Sequence, residues 1–126
     1  MIRGVNKVVV PVDDQAAAKE FWAERLGFDV VTDEAFGGRQ WLEVTPPDRS
    51  ILLILSPRSP DEPRPAVRDE LPHSNVFFVC DDIERTHREL TARGVRFHTP
   101  PVKMPFGWWA MFEDADGTRY ALTQEP

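Results

Sequence analysis

The sequence contains two similar copies of one segment, and matching residues of the two copies lie 68 positions apart. The matches are Val8 with Val76, Asp13-Asp14 with Asp81-Asp82, Arg25 with Arg93, Trp41 with Trp109 and Asp48 with Asp116. Two copies in 126 residues are too few for a solenoid, which needs at least three repeats. The repeat predicts a duplicated half-domain whose copies bury their apolar faces together and form a cleft with two-fold pseudosymmetry.

Each copy carries the same order of predicted elements. In the first copy these are a strand at 7–12, a helix at 15–26 capped by Asp13-Asp14 and ended by Gly27, and strands at 28–32, 39–45 and 51–56. In the second copy they are a strand at 75–80, a helix that opens with Asp81 and Glu84 at capping-box spacing and ends at Gly94, and strands at 95–98, 108–112 and 119–124 with a hairpin turn at 114–117. The order predicts an α+β fold of two βαβββ modules.

The module boundaries follow from proline content. Residues 57–72 hold five of the twelve prolines, which predicts an exposed, stiff linker. We therefore expect modules at 1–56 and 73–126 within a single domain spanning 1–126.

Composition limits the classes of partner. The formal charge of −6 argues against nucleic-acid binding, which needs basic patches. No apolar run is long enough for a membrane span, and no signal peptide is predicted. The single cysteine, Cys80, suits a reducing compartment, so a cytoplasmic protein is expected. Burial and the aspartates after Cys80 indicate a structural thiol rather than a nucleophile.

The paired pattern resembles the glyoxalase/bleomycin-resistance/extradiol-dioxygenase (vicinal oxygen chelate) superfamily. The segments that carry the resemblance are Val8–Asp14, Phe21-Trp22 with Leu26-Gly27-Phe28, Phe77–Asp82, Arg93-Gly94-Val95 and Asp114–Arg119. The last is similar to the family's Asp-Pro-Asp-Gly-Asn turn, with Ala115 and Thr118 as departures. The resemblance implies one domain with a cup-shaped mixed β-sheet, and members of the superfamily carry out several unrelated chemistries.

The same resemblance implies where a metal would be held: early in the first strand and within the last strand of each module. Aligned on the repeat, these positions hold Lys7, Leu53, Asn75 and Ala121. An ammonium and two aliphatic side chains have no lone pair to donate, and an amide alone is a weak ligand. We therefore predict no metal site and no cofactor, with displaced ligands (His73, Glu43, Glu113, His98) as the open alternative.

Aromatic and polar side chains remain as candidates for holding a small molecule. Trp41 and Trp109 are equivalent by the repeat, and glycine-containing loops precede both. Trp108 and Trp109 are adjacent in a strand, so one lines the cup while the other faces solvent, a helix or a partner subunit. The predicted ligand-binding residues are Lys7, Phe36, Arg39, Trp41, Asn75, Met104, Phe106, Trp108 and Trp109. Trp22 is predicted to be core, His87 to be a packed or rim residue, and no catalytic residue is identified.

Two classes of function follow. The first is metal-free sequestration of a drug-like compound or metabolite by a homodimer, as the resemblance to bleomycin-resistance proteins implies. The aromatic residues and the acidic balance fit this class, whereas Lys7 favours an anionic or carbonyl ligand. The second is an enzyme, a lyase, isomerase or dioxygenase, that works through displaced metal ligands or through Lys7 as acid, base or charge stabiliser.

Overall fold

Two four-stranded sheets with the same strand order make up the protein. The computed structural model describes residues 1–64 and 71–126, in two units, Met1–Glu62 and Pro63–Pro126. The first unit contains β1 (Lys7–Val12), α1 (Gln15–Lys19) continued by a π-helical segment (Glu20–Arg25), β2 (Asp29–Phe36), β3 (Arg39–Thr45) and β4 (Leu52–Pro57). The second contains β5 (Phe77–Val79), α2 (Ile83–Ala92), β6 (Arg96–Met104), β7 (Gly107–Glu113) and β8 (Arg119–Gln124). The predicted α+β fold of two βαβββ modules is confirmed.

The strand order is β1-β4-β3-β2 in one sheet and β5-β8-β7-β6 in the other. β1 is parallel to β4, and β5 is parallel to β8, whereas the remaining neighbours are antiparallel. In each unit the helix leads to an edge strand, β2 or β6, and two antiparallel hairpins return the chain to the first strand. Across the two ranges that the structure describes, no helix is long and apolar enough to cross a membrane.

The offset of the repeat is not the same throughout each unit: β2 and β6 begin 67 residues apart, at Asp29 and Arg96. β3 and β7 lie 68 residues apart, but β4 and β8 lie 67 apart. Arg49 and Gly117 are equivalent, since both adopt a left-handed conformation with φ of 57° and 83°. The extra residue of the first unit therefore follows Arg49.

This shift corrects one predicted equivalence. Leu53 corresponds to Tyr120, and Ala121 corresponds to Ile54, because the last strands are offset by 67. The sequence-based pairing of Leu53 with Ala121 is wrong by one residue. In a strand, one residue exchanges the two faces of the sheet, so Leu53 faces the helix side and Ile54 the other.

The first unit buries its helix against one face of its sheet. Asp14 caps α1, and its Oδ1 accepts from the backbone N–H groups of Ala16 and Ala17 at 2.8 and 3.2 Å. Gly27, with φ of 76°, reverses the chain after the π-helical segment, as a left-handed cap does. Trp22 is fully buried, which confirms it as core. The buried strand residues beneath the helix are Val10, Val12, Leu42, Val44, Leu53 and Leu55.

The second helix starts one residue later than predicted. Its N-cap is Asp82, whose Oδ1 accepts from the Arg85 N–H at 3.1 Å. Glu84 is thus the second helical residue and cannot complete a capping box, which needs the third. The Ile83 N–H is already bonded to Oε1 of Gln124 at 2.7 Å, which ties the helix start to β8.

Two further predictions need correction around the connection between the units. Asn75 has φ of 61°, a left-handed conformation that an extended strand does not allow, so β5 begins only at Phe77. At the ends of the predicted linker, Pro57 belongs to β4 and Pro72 is fully buried. Residues 65–70, the centre of that linker, lie outside the described residues.

Candidate functional site

An ion pair lies on the sheet face of the first unit that points away from its helix, here called the open face. Glu43 in β3 is opposite Ile54 in β4, and partners opposite each other point to the same side. Lys7 at the start of β1 reaches the same face, with its Nζ 2.8 Å from Oε2 of Glu43. The Glu43 side chain is 6% exposed and that of Lys7 is 39% exposed, so the carboxylate lies beneath the ammonium.

Two further polar side chains influence the Glu43 carboxylate. Besides Lys7, the hydroxyl of Thr32 and the indole N–H of Trp41 favour its charged form. The hydrogen bond from Lys7, ahead of those from Thr32 and Trp41, lowers the pKa of Glu43 below its ordinary value, although burial acts in the opposite direction. Glu43 therefore stays ionised at neutral pH.

A cavity of about 290 Å³ opens beside this cluster. Its lining consists of Thr32, Glu34, Phe36 and Trp41. Register explains the set: Glu34 is opposite Trp41 across the β2–β3 pair, Thr32 is opposite Glu43, and Phe36 lies two residues further along β2. Trp41 is 38% exposed and Phe36 is 76% exposed, so both rings offer contact surface.

The charge at this cavity comes from Glu34. Its carboxylate is exposed and has no ion pair among residues 1–64 and 71–126. Lys7 does not line the cavity, and its charge is balanced by Glu43. The site is therefore an aromatic recess with a net negative rim, which suits a flat ligand carrying a positive group.

The predicted site residues of the first unit are only partly brought together. Phe36 and Trp41 line the cavity, whereas Lys7 does not and is paired with Glu43. Arg39 is exposed at the start of β3, opposite Phe36 across the two-residue turn of Gly37 and Gly38, and does not line the cavity. Thr32 and Glu34 were missed by the sequence reasoning. Their alternation with Phe36 along one strand is the signal that could have found them.

The second unit lacks the polar cluster. The position of Glu43 is taken by Met111, which is fully buried and faces Ala121, and Asn75 lies in a turn before β5. Trp109 pairs with Val102, and Met104 and Phe106 are exposed at the β6–β7 turn. Trp108 points to the other face and lines a cavity with Glu84 and His87 of α2. The adjacent tryptophans thus face opposite sides, as alternation predicts, and cannot share a pocket.

The four residues considered as displaced metal ligands are engaged in other contacts or are not grouped with one another. Glu43 is paired with Lys7, and Glu113 lies 3.8 Å from Arg119. His73 accepts from the Arg119 N–H through Nδ1 at 3.2 Å, and burial, followed by the nearby Arg119 charge, lowers the pKa of His73. His98 is exposed on β6. Within the described ranges, no three His, Cys, Asp or Glu side chains are grouped as a metal site requires.

Cys80 has the chemistry of a structural residue. Its thiol donates to the Thr123 carbonyl at 3.6 Å. Burial raises the pKa of Cys80, and the charges of Asp81 and Asp82 add to that rise. The thiolate is disfavoured, which argues against nucleophilic chemistry.

Comparison with known proteins agrees with this architecture. The family model described as Glyoxalase/Bleomycin resistance protein/Dioxygenase superfamily matches residues 4–122. The chain is 33% identical over 125 residues to the uncharacterized protein YetH of Bacillus subtilis (strain 168), covering 98% of this chain and 100% of YetH. It is also similar to the structure of TnmS3, an antibiotic binding protein from Streptomyces sp. CB03234, at 33% identity and a TM-score of 0.83, over 99% of this chain and 98% of that one. A superfamily member from Sphaerobacter thermophilus DSM 20745 gives a TM-score of 0.84 at 28% identity, over 98% of both chains.

Proposed function

Since the chain belongs to the Glyoxalase/Bleomycin resistance protein/Dioxygenase superfamily, we propose that it binds and sequesters a small molecule without a metal. The observation that carries the proposal is the Lys7–Glu43 ion pair at 2.8 Å. It pairs Lys7 with Glu43 and leaves an aromatic recess in which Glu34 is the charged group. The similarity to TnmS3 supports this class of function, because that protein is an antibiotic binding protein.

The ligand that fits best is planar and carries a positive charge. From the sequence alone, Lys7 argues against a cationic ligand, because an ammonium inside the pocket repels a cation. In the structure Glu43 neutralises Lys7, and Glu34 is the charged group of the cavity lining. A cation beside the rings of Trp41 and Phe36 gains about 0.5–1 kcal/mol at an exposed site, and the carboxylate of Glu34 adds a similar amount at most.

The ion pair also weighs against catalysis by this face. A general acid or base must have its proton within reach of a substrate, whereas the Lys7 ammonium is directed to Glu43. The enzymatic alternative receives no support from the cavity lining of Thr32, Glu34, Phe36 and Trp41.

The test is a fluorescence and calorimetric titration with a matched pair of probes. We expect 1-naphthylmethylammonium to quench tryptophan emission saturably and more strongly than neutral 1-naphthalenemethanol. Glu34→Gln should weaken the cation about two- to fivefold, since an exposed ion pair contributes up to about 1 kcal/mol, and leave the alcohol unchanged. Glu24→Gln, an exposed carboxylate outside the cavity, is the control for overall charge.

Three results would contradict the proposal. They are equal affinity for the two probes, an equal effect of Glu24→Gln and Glu34→Gln, or binding that disappears in excess EDTA. The last would show that a metal takes part. We also propose that the protein works as a cytoplasmic homodimer with no nucleic-acid partner, as its charge of −6 and its single cysteine suggest.

A further inference from the structure

A second cavity lies in the second unit, on the helix side of its sheet. It has a volume of about 380 Å³, within the usual range for small-molecule sites. Three residues of α2 and two of the strands line it: Glu84, His87, Arg88, Pro101 and Trp108. None of these belongs to the open face of the first unit.

At the equivalent position of the first unit, polar side chains occupy the space that forms this cavity in the second unit. Residues 68 positions before His87, Pro101 and Trp108 form a continuous polar network. Nζ of Lys19 lies 2.7 Å from Oδ2 of Asp33, and Nε2 of Gln40 donates to Oδ1 of Asp33 at 2.6 Å. The equivalent residues are Lys19 with His87, Asp33 with Pro101, and Gln40 with Trp108.

Because of these three differences between the units, the second unit can form none of the hydrogen bonds of this network. Proline has no side-chain acceptor, so neither His87 nor Trp108 can bond to it as Lys19 and Gln40 bond to Asp33. His87 instead packs its ring edge-on against Phe97, with centroids 4.6 Å apart. The half-buried Trp108 then presents its indole to the space that the network fills in the other unit.

Arg88 supplies an uncommitted positive charge at this cavity. Its neighbour on the helix, Arg85, pairs with Glu89 at 3.0 Å. Arg88 has no ion pair within the described part of the chain, although Glu84 lies one turn before it. A guanidinium is suited to bidentate binding of a carboxylate, and Glu84 at the rim disfavours a ligand with a second negative charge.

We propose that this cavity is a binding site for a small aromatic monocarboxylate. The ring stacks against Trp108 and Pro101, and the carboxylate accepts hydrogen bonds from Arg88, with His87 as a further donor. The site goes beyond the proposed function, since it lies in the other unit and selects the opposite charge. Either site can fail without the other.

The test follows the four tryptophan indole N–H signals by nuclear magnetic resonance during titration with 2-naphthoate. We expect the Trp108 signal, assigned by its loss in Trp108→Gln, to shift saturably, and neutral 2-naphthamide to bind at least about fivefold more weakly. Arg88→Gln should weaken naphthoate by at least about fivefold, as loss of a charge-assisted hydrogen bond does. Arg85→Gln, on the same helix but outside the cavity, should not.

The repeat also provides a variant that closes the cavity. His87→Lys, Pro101→Asp and Trp108→Gln together install the network of the first unit, and this triple variant should fold but give no saturable response to naphthoate. The inference is overturned if the Trp108 signal does not shift in the native protein. It is also overturned if Arg88→Gln and Arg85→Gln bind naphthoate equally, or if naphthoate shifts only the Trp41 signal.

Discussion

Glu43 is the residue on which the open face depends. It is almost fully buried and pairs with Lys7 from β1, and Thr32 from β2 and Trp41 within β3 also favour its charged form. A buried carboxylate without partners costs several kcal/mol, so these contacts are needed for the fold as well as for the site. Trp41, which also lowers the pKa of Glu43, lines the cavity, so the ion pair borders the cavity wall.

Acid should weaken the native state through Glu43. Its pKa in the folded protein is lowered from the ordinary value of 4.5, first by the hydrogen bond from Lys7. The stability that it contributes is therefore fully present above 4.5 and is lost as pH falls through the folded pKa. We expect the free energy of unfolding, measured with urea between pH 7 and pH 3, to fall more steeply in the native protein than in Glu43→Gln.

The control for this experiment is Glu24→Gln, which changes an exposed carboxylate on the π-helical segment. The free energy of unfolding of this variant should depend on pH as that of the native protein does. If Glu43→Gln also follows the native protein, the Lys7–Glu43 pair does not contribute to stability in the way described.

Two of the residues that the sequence suggests for ligand binding, Trp41 and Phe36, line the cavity, whereas Lys7 does not line it and is paired with Glu43. Their part in binding stays a prediction. Glu34 was missed because β2 was expected to end at Thr32, which itself lay in the predicted strand but was not among the predicted ligand-binding residues. The residues that extend it, Asp33–Phe36, include types with low intrinsic strand preference, and pairing with β3 overrides that preference.

At the scale of elements, the edge strands differ most from what the sequence predicts. β6 was expected to end at His98 but continues to Met104, through Pro100 and Pro101. Proline cannot donate to a neighbouring strand and is tolerated at sheet edges and bulges. β6 is an edge strand, and its register shifts between Thr99 and Val102. The prolines are therefore accommodated by a bulge, a tertiary feature that local propensity does not show.

The cap of α2 gives an element-level prediction with a built-in control. Asp82 bonds the Arg85 N–H at 3.1 Å, whereas the exposed Asp81 precedes the cap. Asp82→Ala should lower the free energy of unfolding by about 1 kcal/mol, as loss of an N-cap does. Asp81→Ala should change it by less than about 0.5 kcal/mol. Urea denaturation of the two variants measures these changes. A larger loss of unfolding free energy in Asp81→Ala than in Asp82→Ala would contradict the assigned cap.

At the scale of the whole molecule, apolar side chains remain exposed at the first strand of each unit. Val9 is 59% exposed, and its counterpart Phe77 is 53% exposed, with Val79 at 66%. β1 and β5 are also edge strands, which offer unpaired backbone groups to a neighbour. These features support the proposed homodimer.

Sedimentation equilibrium tests that proposal. We expect a species of twice the chain mass of 14.4 kDa at micromolar concentration. Phe77→Glu should shift the equilibrium towards monomer, because it places a charge among exposed apolar groups. Arg3→Glu, a charge change at an exposed residue near the chain start, should not. A single 14.4 kDa species at every concentration would exclude the dimer.

The six-residue connection 46–51 and its five-residue counterpart 114–118 show that this hairpin accepts a change of length. The added residue follows Arg49, and the register is kept, since the pair Glu43–Ile54 corresponds to the pair Met111–Ala121. Such a position is a natural place to graft foreign sequence. A fluorescent-label tag or a short peptide epitope inserted at Ser50 would leave both sheets intact, and the protein could then be developed as a reporter for the compound that it captures.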